Sequence, residues 1–203
     1  MRTPRSRLSK GFSLEKRLVA CDQALELYPG IWRGKWKKWG YGKPYQHLIL
    51  DLGCGKGEYT VACAKLYPRT LFIGLDTEVI CAIRGAECAL AQHVPNAVFV
   101  CANDPDLTDL FAPDELNGIL LNFPTPYPKK KKAPLRLTYL DRLLTYRKIL
   151  APDAILRLRT DSFPLRDFSL TQLELAGYKL TWQSDAVRKL FPDEPLSAYE
   201  KKL

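Results

Sequence analysis

The feature that most limits what this chain can fold into is an alternation that begins at residue 47. His47-Leu48-Ile49-Leu50-Asp51-Leu52 reads as a buried strand, a glycine-rich turn follows at once, and residues 58–67 carry helical spacing. The pattern then repeats. Strands are expected over 71–76, 97–102, 118–123 and 154–159, helices over about 78–92, 137–150 and 164–176, and a late strand starts at Lys179-Leu180-Thr181-Trp182. Near-continuous apolar strands separated by helices belong to a parallel sheet covered on both faces. The expected class is therefore α/β, with a mostly parallel central sheet and helices on both sides. No internal repeat and no second domain is visible, and 203 residues can bury a sizeable core without disulfides or metal.

In sheets of this kind ligands sit beyond the carboxyl ends of the strands. Asp51, Asp76, Asn103, Asn122 and Thr160-Asp161 all stand at expected strand ends, so their convergence predicts one site. The first turn reads Asp51-Leu52-Gly53-Cys54-Gly55-Lys56-Gly57. Glycines are needed where a backbone turns sharply and lets a ligand approach closely. The dinucleotide fingerprint G-x-G-x-x-G is not met, because Gly57 comes one residue early and Glu58 takes the third-glycine place. The phosphate-cradling G-x-x-x-x-G-K-[ST] loop is missing too, so a ligand without a pyrophosphate fits better. The plain alternative is that these glycines only make a tight strand–helix turn.

Charge narrows the partner. The net charge is +9, and residues 1–50 hold 11 Lys and Arg against 3 Asp and Glu. A second basic concentration is the run Lys129 to Lys132. Such an uneven excess suggests a polyanionic partner, with a solvated surface as the bland reading. Residues 1–13 read as a basic arm and 14–28 as a short helix. Between 29 and 40, Trp32, Trp36 and Trp39 alternate with cations, a pattern suited to base stacking beside phosphate contacts, although at least one indole is expected to anchor in the core. Six cysteines form no C-x-x-C pair, and only His47 and His93 are available to join them. No metal site is therefore expected, and Cys63, Cys81, Cys88 and Cys101 read as small core residues. No signal-peptide pattern or membrane-length apolar run is present, so a reducing, cytoplasmic setting is expected.

The acid-x-G-x-G-x-G turn resembles motif I of class I S-adenosylmethionine-dependent methyltransferases. In that superfamily an acid at the end of the next strand holds the ribose hydroxyls, and Asp76 occupies that place. The fourth strand runs into Phe123-Pro124-Thr125-Pro126-Tyr127-Pro128-Lys129, followed by the lysine run and Arg136. With Thr160-Asp161, Ser197-Ala198-Tyr199-Glu200 and Gly34-Lys35-Trp36, this resembles the tRNA (guanine-N7)-methyltransferase family over about residues 30–203. The resemblance implies a Rossmann-like methyltransferase domain over 41–203 behind a basic arm and helix over 1–40. It further implies tRNA as partner, with the chain a monomer or homodimer and no membrane involved. Asp51, Gly53, Gly55, Gly57, Asp76, Asn103 and Asn122 would bind S-adenosylmethionine. Lys129, Asp161, Ser197, Tyr199 and Glu200 would face the target nucleotide, with Asp161, Glu200 and Thr125 nearest the chemistry. Three departures stand out. Thr125 replaces the family's Asp, Tyr127 replaces a Trp, and much of the usual Arg/His-rich stretch is gone. The alternative they raise is a weakened or inactive tRNA-binding relative.

Overall fold

The computed structural model describes residues 13–40, 42–102 and 107–202. Asn103 and most of the basic arm lie outside the described residues. Helix α1 (Leu14–Ala20) starts at the Ser13 cap, and strand β1 (Leu25–Glu26) follows it. The remaining strands are β2 (His47–Leu52), β3 (Thr70–Asp76), β4 (Ala97–Cys101), β5 (Leu116–Asn122) and β6 (Leu150–Arg159). Helices α2 (Glu58–Leu66), α3 (Val79–Ala91), α4 (Leu107–Leu110), α5 (Leu140–Ile149), α6 (Phe163–Leu175) and α7 (Val187–Leu190) connect or follow them. The strands form one sheet in the order β1-β4-β3-β2-β5-β6, and every described pairing is parallel.

Period-two alternation divides the core. Leu48, Leu50, Leu71, Ile73, Leu75 and Ile119 point to one face, where Trp36, Trp39, Phe111, Leu143 and Tyr146 cover them. Phe72, Ala97 and Phe99 point to the other, beneath Val61, Ala64, Ala82, Ile83 and Ala86 of α2 and α3. On this second face three glycines make room for one ring. A Cβ on Gly57 would stand 2.6 Å from both Phe99 Cζ and Gly85 Cα. A Cβ on Gly74 would stand 2.6 Å from Phe99 Cδ1, and one on Gly85 would stand 2.8 Å from its Cζ. Helices α2 and α3 can therefore lie close to the sheet only with bare backbone at 57, 74 and 85.

Two expected elements differ. The helix over 14–28 stops at Ala20, because Leu25 and Glu26 leave the helical path to pair with Phe99 and Val100 on the free edge of β4. That step buries Cys21, Ala24 and Leu25 against the α2–α3 layer. The late strand from Lys179 does not form. Residues 179–182 find no strand partner among the described residues, and Leu180 and Trp182 stay exposed, the indole packing on Phe191. Of the cysteines expected in the core, Cys63 is buried, while Cys81, Cys88 and Cys101 are only partly covered.

Candidate active site

The strand order reverses at β2, which pairs β3 on one side and β5 on the other. The crevice at such a switch point is where an open parallel sheet receives a ligand. Asp51 lies at the carboxyl end of β2, Asp76 ends β3, Asn122 ends β5, and Asp161 follows β6. The structure thus brings these four expected residues to one edge of the sheet. A cleft of about 210 Å³ lies there, lined by Asp51, residues 53–59, Asn122, Phe123 and residues 197–199.

The glycine turn is built from left-handed backbone. Gly53, Gly55 and Gly57 have φ of 80°, 56° and 74°, a region that side chains with a Cβ rarely adopt. Their surroundings separate their roles. A Cβ on Gly55 would meet nothing within 4 Å, so its backbone borders open space. Gly57 is buried against Phe99 and Gly85, so helix packing alone requires it, although it also lines the cleft. The Asp76 carboxylate accepts from Gly55 N at 2.8 Å and from Glu78 N at 3.0 Å. It fixes the far side of the turn.

Asp51 sits under the turn and is 1% exposed. Its Oδ2 accepts from Thr60 Oγ1 at 2.6 Å and its Oδ1 from Asn122 Nδ2 at 3.1 Å. Burial pushes its carboxyl up to about 6, against the opposing pull of those two donors and of Arg157. Asn122 keeps its own Oδ1 buried without a hydrogen-bond partner. A buried acceptor left open beside a cleft is unusual in a folded protein, and it suits a donor-bearing ligand.

Across the cleft, the Phe123 and Tyr199 rings stand 4.9 Å apart between centroids, tilted by 31°. The Tyr199 hydroxyl donates to Asp161 Oδ2 at 2.7 Å, which raises its pKa. Asp161 is exposed and is not the cap of α6, since Ser162 accepts from Leu165 N instead. Phe123 and Tyr127 both have positive φ, 49° and 40°, and Arg136 donates to the carbonyls of Pro126 and Tyr127 at 3.0 Å each. The proline loop is thereby held in a bent path that leaves Thr125 exposed at its tip. Lys129 to Lys132 are exposed beyond it.

Glu200 is placed differently from a free catalytic acid. Its Oε2 accepts from Ser197 N at 2.9 Å, and its Oε1 accepts from Arg188, with Arg188 Nε at 2.9 Å. Burial raises its pKa, but these donors outweigh burial and hold it below the usual range. The expectation of stacking indoles is corrected for Trp36 and Trp39, while the expected anchoring of at least one indole in the core holds. Trp36 is fully buried and donates to Leu110 O at 2.9 Å, Trp39 is buried beside it, and Trp32 donates to Glu26 at 2.7 Å. The three rings pack on one another within 6.1 Å, and of the three Trp32 alone is half-buried and keeps part of its surface exposed. Sequence reasoning missed Tyr59 and Thr60 of α2, together with Arg157, Arg159 and Glu194. No motif spaces the last three, and only the fold assembles them.

Comparison with known proteins fits this architecture. A family model described as a putative methyltransferase matches residues 45–203. A tRNA (guanine-N(7)-)-methyltransferase of Geobacillus kaustophilus is 34% identical over 188 residues, covering 92% of this chain and 85% of the relative. One of Brevibacillus brevis is 31% identical over 196 residues, covering 92% and 90%. Among solved structures, an antibiotic-related methyltransferase superposes with a TM-score of 0.57 at 17% identity, over 78% of this chain and 81% of that one. This likeness bears on the fold alone.

Proposed function

Because the chain belongs to the tRNA (guanine-N7)-methyltransferase family, we infer that its crevice transfers the methyl group of S-adenosylmethionine to N7 of a guanosine in tRNA. The observation that carries the donor placement is the pairing of Asn122's open buried acceptor with the bare backbone at Gly55. The residues present fit the donor. Gly55 allows close approach, Asp76 presents a carboxylate to ribose hydroxyls, and Asn122 Oδ1 offers an acceptor to an ammonium group. Asp51 is read as acting from beneath the turn. When bound, S-adenosylmethionine supplies an electrophilic methyl group on a sulfonium.

The rest falls to this chain's own groups. Guanine N7 presents an unprotonated lone pair, so no base has to remove a proton from the attacking atom. Catalysis then rests on in-line positioning and on excluding water. Phe123 and Tyr199 offer aromatic surface for the purine, and Asp161 offers an acceptor for its amino and imino edge. Positive charge builds on the purine as the methyl arrives, and the carboxylate of Asp161 stabilises it from nearby. Ser197 and Glu200 shape the cleft wall, with Glu200 acting through Arg188 and Ser197 instead of touching the base. Thr125 places a hydroxyl where the family carries a carboxylate, which lowers the field on the transition state without removing the positioning. Lys129 and its neighbours meet tRNA phosphates. Incubation of unmodified tRNA with labelled S-adenosylmethionine, followed by nucleoside analysis, should yield 7-methylguanosine. Donor binding without any methylated nucleoside would favour the inactive, tRNA-binding alternative.

A further inference from the structure

The wall of the cleft formed by residues 197–199 belongs to the carboxyl-terminal segment, and that segment is attached in an unusual way. Among the described residues, neither apolar core includes a residue beyond Tyr178. Apart from the contacts of Tyr199 with Phe123 and Asp161, what fastens the segment is charge. Glu194 Oε1 accepts from Arg157 Nη1 at 2.6 Å, and its Oε2 pairs with Arg159, both arginines projecting from β6. The Tyr59 hydroxyl, on the opposite wall of the cleft, also reaches Glu194, at 3.2 Å, and it pairs with Arg157. Arg159 is 7% exposed, and its Nη1, with Glu200 at 3.8 Å, lacks a hydrogen bond.

We propose that Glu194 is a positioning residue for the donor cleft, an ionic latch that seats residues 197–199 and Tyr59 as its two walls through Arg157 and Arg159. The proposal rests on the donor reading of the cleft. Its logic is electrostatic. Two guanidinium groups on one face of β6 need a counter-charge where they are largely shielded from water. Glu194 supplies it from the segment that must be held down, so closing the wall and neutralising the arginines are a single event. The Glu194 side chain is 23% exposed, so dissolved ions reach the latch and screen it in part. The outer contact, Lys201 with Glu58 at 2.9 Å, is about half exposed and contributes little by comparison.

The test uses the full chain without tRNA, with S-adenosylhomocysteine as the probe. Calorimetry at low and high salt gives Kd, and trypsin cleavage at the exposed Lys189 reports release of the segment. The wild type should bind more weakly as salt rises, and its cleavage should quicken in parallel. Glu194→Gln should weaken binding about tenfold at low salt, cleave faster and lose most of the salt dependence. Glu194→Asp, which keeps the charge, should recover part of the affinity and of the slope, which a merely structural role would not restore. Lys201→Gln should leave the slope nearly unchanged. A folded Glu194→Gln with wild-type affinity overturns the proposal, as does a wild-type Kd and cleavage rate indifferent to salt. If Glu194→Gln does not fold, the wild-type salt series and Glu194→Asp decide. If the wild type binds no probe at any salt, the donor reading has failed, and the cleavage arm alone decides the latch.

Discussion

A buried carboxylate under a ligand-binding turn should make the protein less stable where that carboxylate is ionised. Burial lifts the Asp51 carboxyl from its ordinary 3.8 to about 6. The folded chain therefore holds a proton between those values that the unfolded chain releases. The stability this proton brings is fully present below pH ~3.8 and is lost as pH rises through about 6. At about 1.4 kcal/mol per unit, the loss by pH 8 is about 3 kcal/mol. Asp51→Asn removes the charge and keeps the shape. Its carbonyl still accepts from one of the two present donors, Thr60 and Asn122, and its amide can donate to the other's oxygen. The variant should gain up to about 3 kcal/mol over the wild type at pH 8, falling to about 1 kcal/mol near pH 4.5. Urea unfolding followed by the fluorescence of the buried Trp36 and Trp39 measures both differences. A variant weaker than wild type at pH 8, or an advantage equal at the two pH values, refutes the account.

Gly55→Val should abolish S-adenosylhomocysteine binding in calorimetry while far-ultraviolet dichroism stays native, because its side chain enters open space and not the core. Strain from the left-handed backbone should cost about 1–2 kcal/mol of stability. Neutralising Lys129 to Lys132 together should weaken tRNA binding and flatten its dependence on salt, as fewer counterions are released; an unchanged slope would make the run a solvated surface only. Thr125→Asp should raise single-turnover methylation more than it changes tRNA affinity, the mark of an interaction made mainly in the transition state.

The strands were legible because parallel strands buried on both faces leave continuous apolar runs, as at 71–75 and 97–100. The end of α1 was not, since nothing local distinguishes Leu25 as a helical residue from Leu25 as a partner for Phe99. Residues 179–182 carry strand propensity but find no partner among the described residues, and a strand exists only by pairing. The tryptophans show the limit of composition. An indole between lysines looks the same in sequence whether it faces a base or, like Trp36, is fully buried. At the site, strand-end position located Asp51, Asp76, Asn122 and Asp161 correctly at one edge. Position alone did not say that Asp51 points under the turn toward Thr60, or that Glu200 spends its charge on Arg188 and Ser197. Glu194 was invisible because its partners lie on β6, 35 and 37 residues earlier in the chain.

The ring of Phe99 ties the inheritance of four distant stretches together. Positions 57, 74 and 85 each abut the same few carbon atoms, so none is free to change by itself. A Cβ at any one of them is admissible only in a chain where residue 99 has already shrunk, and a smaller residue 99 opens a void that the glycines cannot fill. Substitutions there should be strongly non-additive, with a double variant such as Gly85→Ala with Phe99→Leu costing less than its two single changes combined. The third glycine of the turn is thus under two separate demands, and relaxing the demand for a ligand would leave the demand of the ring in force. A descendant that had given up the reaction would still be expected to keep Gly57, while Gly55 would be held only by the strain of its left-handed backbone.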